Sequence, residues 1–175
     1  LVDDGSGDNS WSVIQECQKR VTEAKVIGVK LIKNYGSMSA IAAGFEQTSG
    51  DCGILLTADL QDPPELIREM YDEWVNGYKT ILAVRKDRVD SFFTKLCAKL
   101  YYILVKLFVF KDFPAGGFDY LLIDREVIDQ INRLKEKNTN LLCLIYWLGY
   151  PTKMIKYARV LRKEGKSRWT FAKKV

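Results

Sequence analysis

The residues best suited to chemistry lie in segment 57–64, which reads TADLQDPP. An apolar run over residues 52–56 stops at this segment, and an amphipathic stretch follows the two prolines. The pattern predicts a buried strand, a loop and a helix, and open α/β sheets bind ligands beyond the carboxyl ends of their strands. Asp59, the amide oxygen of Gln61 and Asp62 are hard oxygen donors, which hold Mg²⁺ or Mn²⁺ together with substrate phosphates. Asp62 is also predicted to cap the helix that the prolines begin, a role that leaves Asp59 and Gln61 unexplained.

A second acidic cluster opens the chain, which begins LVDDGSGD. Two apolar residues lead into Asp3 and Asp4, a glycine-rich turn follows, and a helix is predicted to begin near Ser10. Asp, Gly and Ser are common in turns, so this cluster alone indicates little. Two acidic loops at predicted strand ends in one α/β chain nevertheless favour a site for a metal ion and a nucleotide.

Two arginines follow another predicted strand. Residues 80–84 are strand-like, and Arg85 and Arg88 come soon after them. A guanidinium group binds phosphate through paired hydrogen bonds, so both arginines are candidates for phosphate contacts. The structural alternative is a solvated charge pair with Asp87 or Asp90.

Composition and charge narrow the class of protein. The chain has 175 residues, of which 47% are hydrophobic, enough for one domain with a sizeable core. The net charge is +5, and the segment 153–174 is rich in Lys and Arg with Glu164 as its one acid. A basic end indicates an anionic partner: phosphate, nucleic acid or a membrane surface. The chain contains no His, which excludes histidine-based catalysis and histidine metal ligands.

The cysteines and the most apolar segment are less informative. The four cysteines are far apart without a CxxC spacing, so a zinc site is not expected, and three of them are predicted to be small core residues. The apolar segment 96–110 is interrupted by Lys99 and Lys106 and is too short to span a bilayer. It is predicted either to lie at a membrane interface or to be a half-buried helix.

Hydrophobic periodicity and turn residues place the elements that must position these side chains. Strands are predicted over residues 26–32, 52–56, 80–84, 118–123 and 153–161. Helices are predicted over residues 10–23, 37–48, 64–75, 90–110, 124–134 and 140–148, with Asp124 as an N-cap. Alternating strands and helices indicate an α/β domain with a largely parallel sheet.

The motifs VDDGSGD, KNYGSMSAIAAG, TADLQDPPELI, RKDR and RKEGKSRW occur in the order seen in glycosyltransferase family 2. More narrowly, the chain resembles the polyprenyl-phosphate hexosyltransferases, which include the dolichol-phosphate mannose synthase group and undecaprenyl-phosphate glucosyltransferases. The resemblance covers nearly the whole chain, and ADLQDPPE together with RxxGxSxW is specific.

The resemblance implies a GT-A fold, a mostly parallel sheet flanked by helices that binds a nucleotide-diphosphate sugar, over one catalytic domain at 1–175. Family members carry about one strand and one helix before the point at which this chain begins, and many carry membrane helices after the RxxGxSxW motif. The chain is therefore expected to be an incomplete piece, lacking the amino-terminal strand and helix and any following membrane helices.

The resemblance also implies roles for the acidic residues. Asp59 and Gln61 match the metal-binding positions for Mg²⁺ or Mn²⁺, and Asp3 and Asp4 match positions that bind the base and ribose. The family usually carries DADLQ, whereas this chain has Thr57 in place of the first acid. The expected metal site therefore has one negative charge fewer.

For the phosphates and the acceptor, the resemblance implies a further set of residues. Arg85 and Arg88 match positions near the donor diphosphate and the acceptor phosphate. Asp119 lies in an acceptor-side segment, although GGFDY departs from the commoner GDFRL form. The RxxGxSxW motif, which contacts phosphates near the lipid, supplies Arg162, Ser167, Arg168 and Trp169.

The implied function is inverting transfer of a hexose from a nucleotide-diphosphate sugar to a polyprenyl phosphate. A phosphate monoester with a second pKa of about 6 is already a nucleophile at neutral pH and needs no base, whereas a sugar hydroxyl does. The alternatives are a transferase with a sugar-hydroxyl acceptor in polysaccharide synthesis and a non-catalytic nucleotide-sugar-binding domain. Nucleic acid is not an expected partner, because the acidic strand ends repel phosphate without a metal. The expected location is the cytoplasmic face of a membrane, and a homo-oligomer is left open.

Overall fold

The structure is a computed structural model that describes residues 1–59, 61–86, 114, 118–134 and 140–159. The predicted helix over 90–110, Arg88 and the whole RxxGxSxW motif lie outside the described residues. Strands in the described part are β1 (Val2–Asp3), β2 (Val29–Lys30), β3 (Cys52–Leu55), β4 (Thr80–Arg85), β5 (Phe118–Asp124) and β6 (Thr152–Tyr157). Helices are α1 (Ser10–Arg20), α2 (Ser37–Glu46), α3 (Leu66–Val75), α4 (Arg125–Arg133) and α5 (Leu141–Trp147).

The main sheet is mixed, with strand order β3-β5-β4-β6. Strands β4 and β6 are parallel, and β5 runs antiparallel to both β3 and β4. Strands β3, β4 and β6 therefore point the same way, as the predicted parallel arrangement requires, and β5 enters between them in the opposite direction. An apolar run marks a buried strand but not its direction, so the sequence could not show this reversal. Strands β1 and β2 form a separate parallel pair.

Most predicted elements are confirmed to within a few residues at each end. The main exception is the strand predicted over 26–32, which shortens to Val29–Lys30. It pairs only with Val2 and Asp3, so the short partner limits the ladder. Asp124 caps α4 as predicted, because its side chain accepts a hydrogen bond from the Glu126 backbone N–H.

Hydrophobic cores cover both faces of the main sheet, because successive strand residues point to opposite sides. On β4, Leu82 belongs to one core whereas Ile81 and Ala83 belong to the other. The first core, shared with α2, α4 and α5, includes Phe45, Leu82, Leu121, Ile123, Val127, Ile128 and Ile145. The second core, shared with α3, contains Met70, Ile81, Ala83, Tyr120, Leu122, Ile155 and Tyr157.

The strand directions gather polar residues at one edge of the sheet. The carboxyl ends of β3, β4 and β6 lie at this edge, and the antiparallel strand β5 begins there. Segment 57–62, Arg85, Asp119 and Tyr157 follow or form these strand ends. Among the described residues, no helix combines the length and the apolarity needed to cross a bilayer.

Candidate functional site

The site centres on four residues that follow β3, which we call the acidic loop: Thr57, Asp59, Gln61 and Asp62. The Thr57 hydroxyl oxygen lies 2.9 Å from Asp59 Oδ1 and 2.7 Å from Asp62 Oδ2. The Gln61 backbone N–H donates to Asp59 Oδ1 at 3.3 Å. Thr57 thus stands between the two carboxylates, and its single hydroxyl proton can be donated to only one of them.

Asp62 does not cap α3, so the predicted cap is wrong. Its side chain is turned inward, and only 2% of the residue is exposed. Helix α3 begins after Glu65 without a side-chain cap. The carbonyl oxygens of Pro63 and Pro64 accept from Leu66 and Ile67 in tight turns that start the helix. Because the prolines begin the helix by themselves, the Asp62 carboxylate is left to pair elsewhere.

The partner of Asp62 is Tyr157 at the carboxyl end of β6. The Tyr157 hydroxyl donates to Asp62 Oδ1 at 2.5 Å. Its ring is 5% exposed and packs edge-on against Tyr120, with ring centroids 6.0 Å apart. Burial first, and then the hydrogen bond to Asp62, raise the pKa of Tyr157 well above its ordinary value. The phenol therefore stays protonated and remains a donor to this carboxylate.

Arg159 supplies positive charge to the acidic loop. Its guanidinium donates to Asp59 Oδ2 at 3.3 Å, and its Nε lies 3.2 Å from Asp62 Oδ1 without the alignment of a hydrogen bond. Sequence reasoning missed both Arg159 and Tyr157 as site residues. The available signal was their i, i+2 spacing in the strand predicted over residues 153–161, which puts both side chains on one face.

Arg85 and Asp119 form an ion pair beside this group. An Arg85 terminal nitrogen contacts Asp119 Oδ2. Burial lowers the pKa of Arg85, but the Asp119 charge and the hydrogen bond with Tyr157 outweigh it and raise the pKa. Asp119 Oδ1 is buried without a hydrogen-bond partner in the described part of the chain. The structure thus pairs two predicted substrate-binding residues with each other and joins them to Tyr157.

The amino-terminal acids divide into two roles. Asp4 accepts from the backbone N–H groups of Tyr35 at 2.8 Å and Gly36 at 3.0 Å, so both its oxygens fix the loop before α2. Asp3 is 3% exposed and accepts from the Ser6 backbone N–H at 3.0 Å through Oδ1. Its Oδ2 is buried without a partner among the described residues. Asp3 therefore retains an acceptor for a ligand, whereas Asp4 shapes the loop.

Gly5 explains how this loop packs. It has φ 65°, and an added Cβ would lie 2.4 Å from the Lys33 carbonyl carbon, so any other residue would be strained and would clash. Residues 3–6 are thereby held against residues 33–36. Helix α2, which follows, packs against both β1 and α4 and so connects the β1–β2 pair with the main sheet.

The donor set of the acidic loop suits a divalent cation such as Mg²⁺ or Mn²⁺. Carboxylate, hydroxyl and amide oxygens are the ligands that these ions prefer. Asp59 and Asp62 both contact the guanidinium of Arg159. No group of three or more His, Cys, Asp or Glu side chains suited to a metal occurs among the described residues.

Comparisons with known proteins relate this chain to one family. The profile described as Glycosyl transferase family 2 matches residues 1–132. An uncharacterized glycosyltransferase of Bacillus subtilis (strain 168), YkcC, is 36% identical over 99% of this chain and 53% of its own length. The undecaprenyl-phosphate 4-deoxy-4-formamido-L-arabinose transferase of Proteus mirabilis (strain HI4320) is 34% identical over 99% of this chain and 53% of its own. The bactoprenol glucosyl transferase of Shigella phage SfX is 31% identical over 97% of this chain and 55% of its own length. The chain thus spans about half the length of these curated relatives.

Solved structures show the fold. Glucosyl-3-phosphoglycerate synthase from Mycobacterium tuberculosis, in complex with Mn²⁺ and uridine-diphosphate-glucose, superposes with a TM-score of 0.55 at 16% identity. The match covers 94% of this chain and 60% of that one. The same enzyme in complex with phosphoglyceric acid also gives a TM-score of 0.55. The predicted GT-A fold is confirmed.

Proposed function

Because the chain belongs to glycosyltransferase family 2, we propose that it forms the donor-binding part of a hexosyltransferase. In this proposal a nucleotide-diphosphate sugar donates its hexose to a polyprenyl phosphate, with inversion at the anomeric carbon. The observation that carries the proposal is the adjacency of an acidic loop and an Arg85–Asp119 pair at one sheet edge. Tyr157 donates to Asp62 and lies beside Arg85, its register partner on β4, so the proposed cation site and the proposed anion site are adjacent.

This adjacency matches what a sugar diphosphate requires. The diphosphate gains negative charge as the glycosidic bond breaks, so positive charge must surround it. Asp59, with Gln61, would hold the divalent cation, and when bound that cation supplies charge that stabilises the leaving diphosphate. Arg85 offers a guanidinium group beside it, and a fixed guanidinium positions phosphate through paired hydrogen bonds. Asp3, with one buried free acceptor, is proposed to bind the nucleoside.

Two lines of reasoning support a polyprenyl phosphate as acceptor. Two relatives carry undecaprenyl phosphate or bactoprenol in their names, and each match covers almost the whole of this chain. The carboxylates at the described sheet edge are held by hydroxyl or guanidinium groups, an arrangement suited to binding ions. A phosphate acceptor needs no base to remove a proton. The basic segment 153–174 is proposed to place the whole protein at the cytoplasmic face of a membrane.

One observation favours a second candidate, a transferase with a sugar-hydroxyl acceptor. Asp119 Oδ1 is buried and has no hydrogen-bond partner in the described part of the chain, so it can accept a proton from an acceptor hydroxyl. In this case Asp119 would act as a general base that Arg85 orients.

An acceptor assay with the full-length protein separates the two. Labelled UDP-glucose and GDP-mannose are each incubated with undecaprenyl phosphate, with a panel of oligosaccharides, or with neither, in the presence of Mn²⁺. We expect label in the organic phase only with undecaprenyl phosphate. We also expect the transfer rate of an Asp119→Asn variant to rise between pH 6 and pH 8, as the wild-type rate does. Label on oligosaccharide alone, with Asp119→Asn inactive, would establish the second candidate.

A further inference from the structure

Asp119 interrupts the regular pairing of β5 with β4. Ala83 pairs with Tyr120 and the next residue, Val84, pairs with Phe118, so Asp119 is the extra residue of a β-bulge. The side chains on either side of it show the same shift. Residues two apart on a regular strand share a face, yet Phe118 lies in the first core and Tyr120 in the second. The bulge therefore removes Asp119 from the alternation that fills the two cores.

Without the bulge, the side chain of Asp119 would point into the first core. Tyr120 and Leu122 lie in the second core whereas Leu121 and Ile123 lie in the first, so regular alternation would place residue 119 with the latter pair. Burying a carboxylate there would cost several kcal/mol. The Asp119 side chain is instead 39% exposed. Bulges next to active sites re-aim side chains, so this one indicates that Asp119 serves a ligand rather than packing.

Asp119 lies between the two groups proposed to bind the donor diphosphate. On the β4 side, its Oδ2 contacts Arg85. On the β3 side, Leu121 pairs with Leu55, and continuing that antiparallel register brings Asp119 level with Thr57, where the acidic loop begins. A carboxylate repels phosphate but accepts hydrogen bonds from hydroxyl groups. The part of the donor that suits this position is therefore the hexose, which is bonded directly to the diphosphate.

The Asp119 carboxylate has acceptor capacity to spare. A carboxylate offers about four lone-pair sites, and within the described residues its hydrogen bond comes from Arg85. Oδ1 is shielded from water and has no hydrogen-bond partner in that part of the chain. An acceptor left without a donor costs free energy, which a ligand hydroxyl can recover. Arg85 thus holds one oxygen in place and leaves the rest of the carboxylate for a substrate.

We propose that Asp119 recognises the transferred hexose by accepting a hydrogen bond from one of its hydroxyl groups, and that Arg85 positions the carboxylate for this contact. The inference rests on the proposed function, because it takes the donor diphosphate to lie at Arg85. It differs from the role of a general base in the second candidate. A base acts on the acceptor during transfer, whereas a sugar ligand acts on the donor when no acceptor is present.

Donor binding without an acceptor tests the inference. Isothermal titration calorimetry is carried out on the full-length protein with Mn²⁺, and the probes are UDP with UDP-glucose and GDP with GDP-mannose. For the pair that the wild type binds, we expect Asp119→Asn to raise the Kd of the nucleotide sugar about tenfold, the difference between hydrogen bonds to a charged and to a neutral acceptor. The Kd of the nucleotide diphosphate alone should not rise, because it carries no sugar hydroxyl.

A matched control is Asp129→Asn on α4, since Asp129 is also a partly exposed carboxylate that pairs with an arginine. It should change neither Kd. Unchanged Kd values for both probes in Asp119→Asn overturn the inference, and with a loss of transfer to oligosaccharide they favour the general base. An equal rise for both probes also overturns it, because Asp119 would then act on the diphosphate.

A second measurement needs no variant and applies if Asp119→Asn fails to fold. The wild type is titrated with nucleotide sugars that each lack one hydroxyl group of the hexose. One analogue should bind about tenfold more weakly than the parent, and equal affinity of all analogues overturns the inference. A sugar-dependent loss in Asp119→Asn, in a protein that transfers no sugar, supports the inference and contradicts the proposed function. A wild type that binds neither pair of probes overturns both.

Discussion

Asp62 and Tyr157 are 95 residues apart in the chain and joined by a hydrogen bond of 2.5 Å. The bond links the loop that follows β3 to the last residue of β6, so it closes the candidate site across the sheet. Tyr157 is also the register partner of Arg85 on the parallel strand β4, and Arg85 pairs with Asp119. One phenol thereby connects the residues proposed to hold a metal ion with those proposed to hold phosphate.

Replacing Arg159 by Met should strengthen the binding of free Mn²⁺ to the full-length protein. Arg159 neutralises Asp59 and Asp62 in the described structure, so an incoming cation must compete with it. We expect Arg159→Met to lower the Kd by about threefold to tenfold, the scale of partly exposed ion pairs. Isothermal titration calorimetry in the absence of nucleotide measures the change.

The control for Arg159 is Lys156→Met, which removes one positive charge from an exposed position on β6, the strand that precedes Arg159. It should change the Kd by less than about twofold, because exposed charges are screened. Weaker Mn²⁺ binding in Arg159→Met would mean that Arg159 supports the metal site rather than competing for it.

Replacing Arg85 by Lys should impair donor binding although the charge is kept. The guanidinium group pairs with Asp119, and a lysine ammonium cannot reproduce its planar arrangement. We expect the KM for the nucleotide sugar to rise about tenfold, the cost of losing one hydrogen bond to a charged group. Arg125→Lys, at the far end of β5, is the control and should leave the KM unchanged. Equal KM values in both variants would remove Arg85 from the donor site.

The main strands and the acidic loop could be predicted from the sequence, because apolar runs that end in polar residues mark buried strand ends. The partners of the predicted residues could not. Arg85 has Asp87 and Asp90 as acidic neighbours in sequence, yet it contacts Asp119 on an antiparallel strand whose direction no apolar run reveals. The prolines after Asp62 predict a helix cap, whereas the partner of Asp62 is Tyr157, which is distant in the chain. Local patterns identify candidate ligands, and tertiary pairing decides what each ligand does.

Stability should fall in acid through Asp124. The pKa of this carboxyl is lowered: burial raises it, but hydrogen bonds from the Glu126 backbone, Trp74 and Lys79 outweigh burial. Because the folded-state pKa lies below the unfolded value of about 3.9, the contribution to stability is complete above about pH 5. It is lost as the pH falls through the lower folded-state pKa.

Urea unfolding of the wild type and Asp124→Asn between pH 7 and pH 3 checks this sign. The gap in unfolding free energy between the two proteins should be largest at pH 7 and should narrow as the pH falls. A gap that stays constant over this range would show that the Asp124 carboxylate contributes nothing through its charge.

The basic end of the chain should bind anionic lipid in the full-length protein. Each Lys or Arg near an anionic surface contributes about 1 kcal/mol, and segment 153–174 carries a single acid. Co-sedimentation with vesicles containing phosphatidylglycerol should exceed that with neutral vesicles, weaken with salt, and drop when Arg162 and Arg168 are replaced by Ala. Sedimentation that ignores lipid charge and both substitutions would favour a soluble acceptor.

The central claim is that the sheet edge around Asp59 is a metal-dependent donor site, and Asp59→Asn in the full-length protein tests it most directly. The matched control is Asp129→Asn, a partly exposed carboxylate on α4 that pairs with Arg125 in an i, i+4 contact. Transfer of labelled hexose to undecaprenyl phosphate is measured with Mn²⁺ at saturating donor. The account predicts a loss of at least about a hundredfold in rate for Asp59→Asn, the scale of removing one group that stabilises developing charge, and none for Asp129→Asn. Wild-type transfer by Asp59→Asn, in a protein that folds normally, would contradict it.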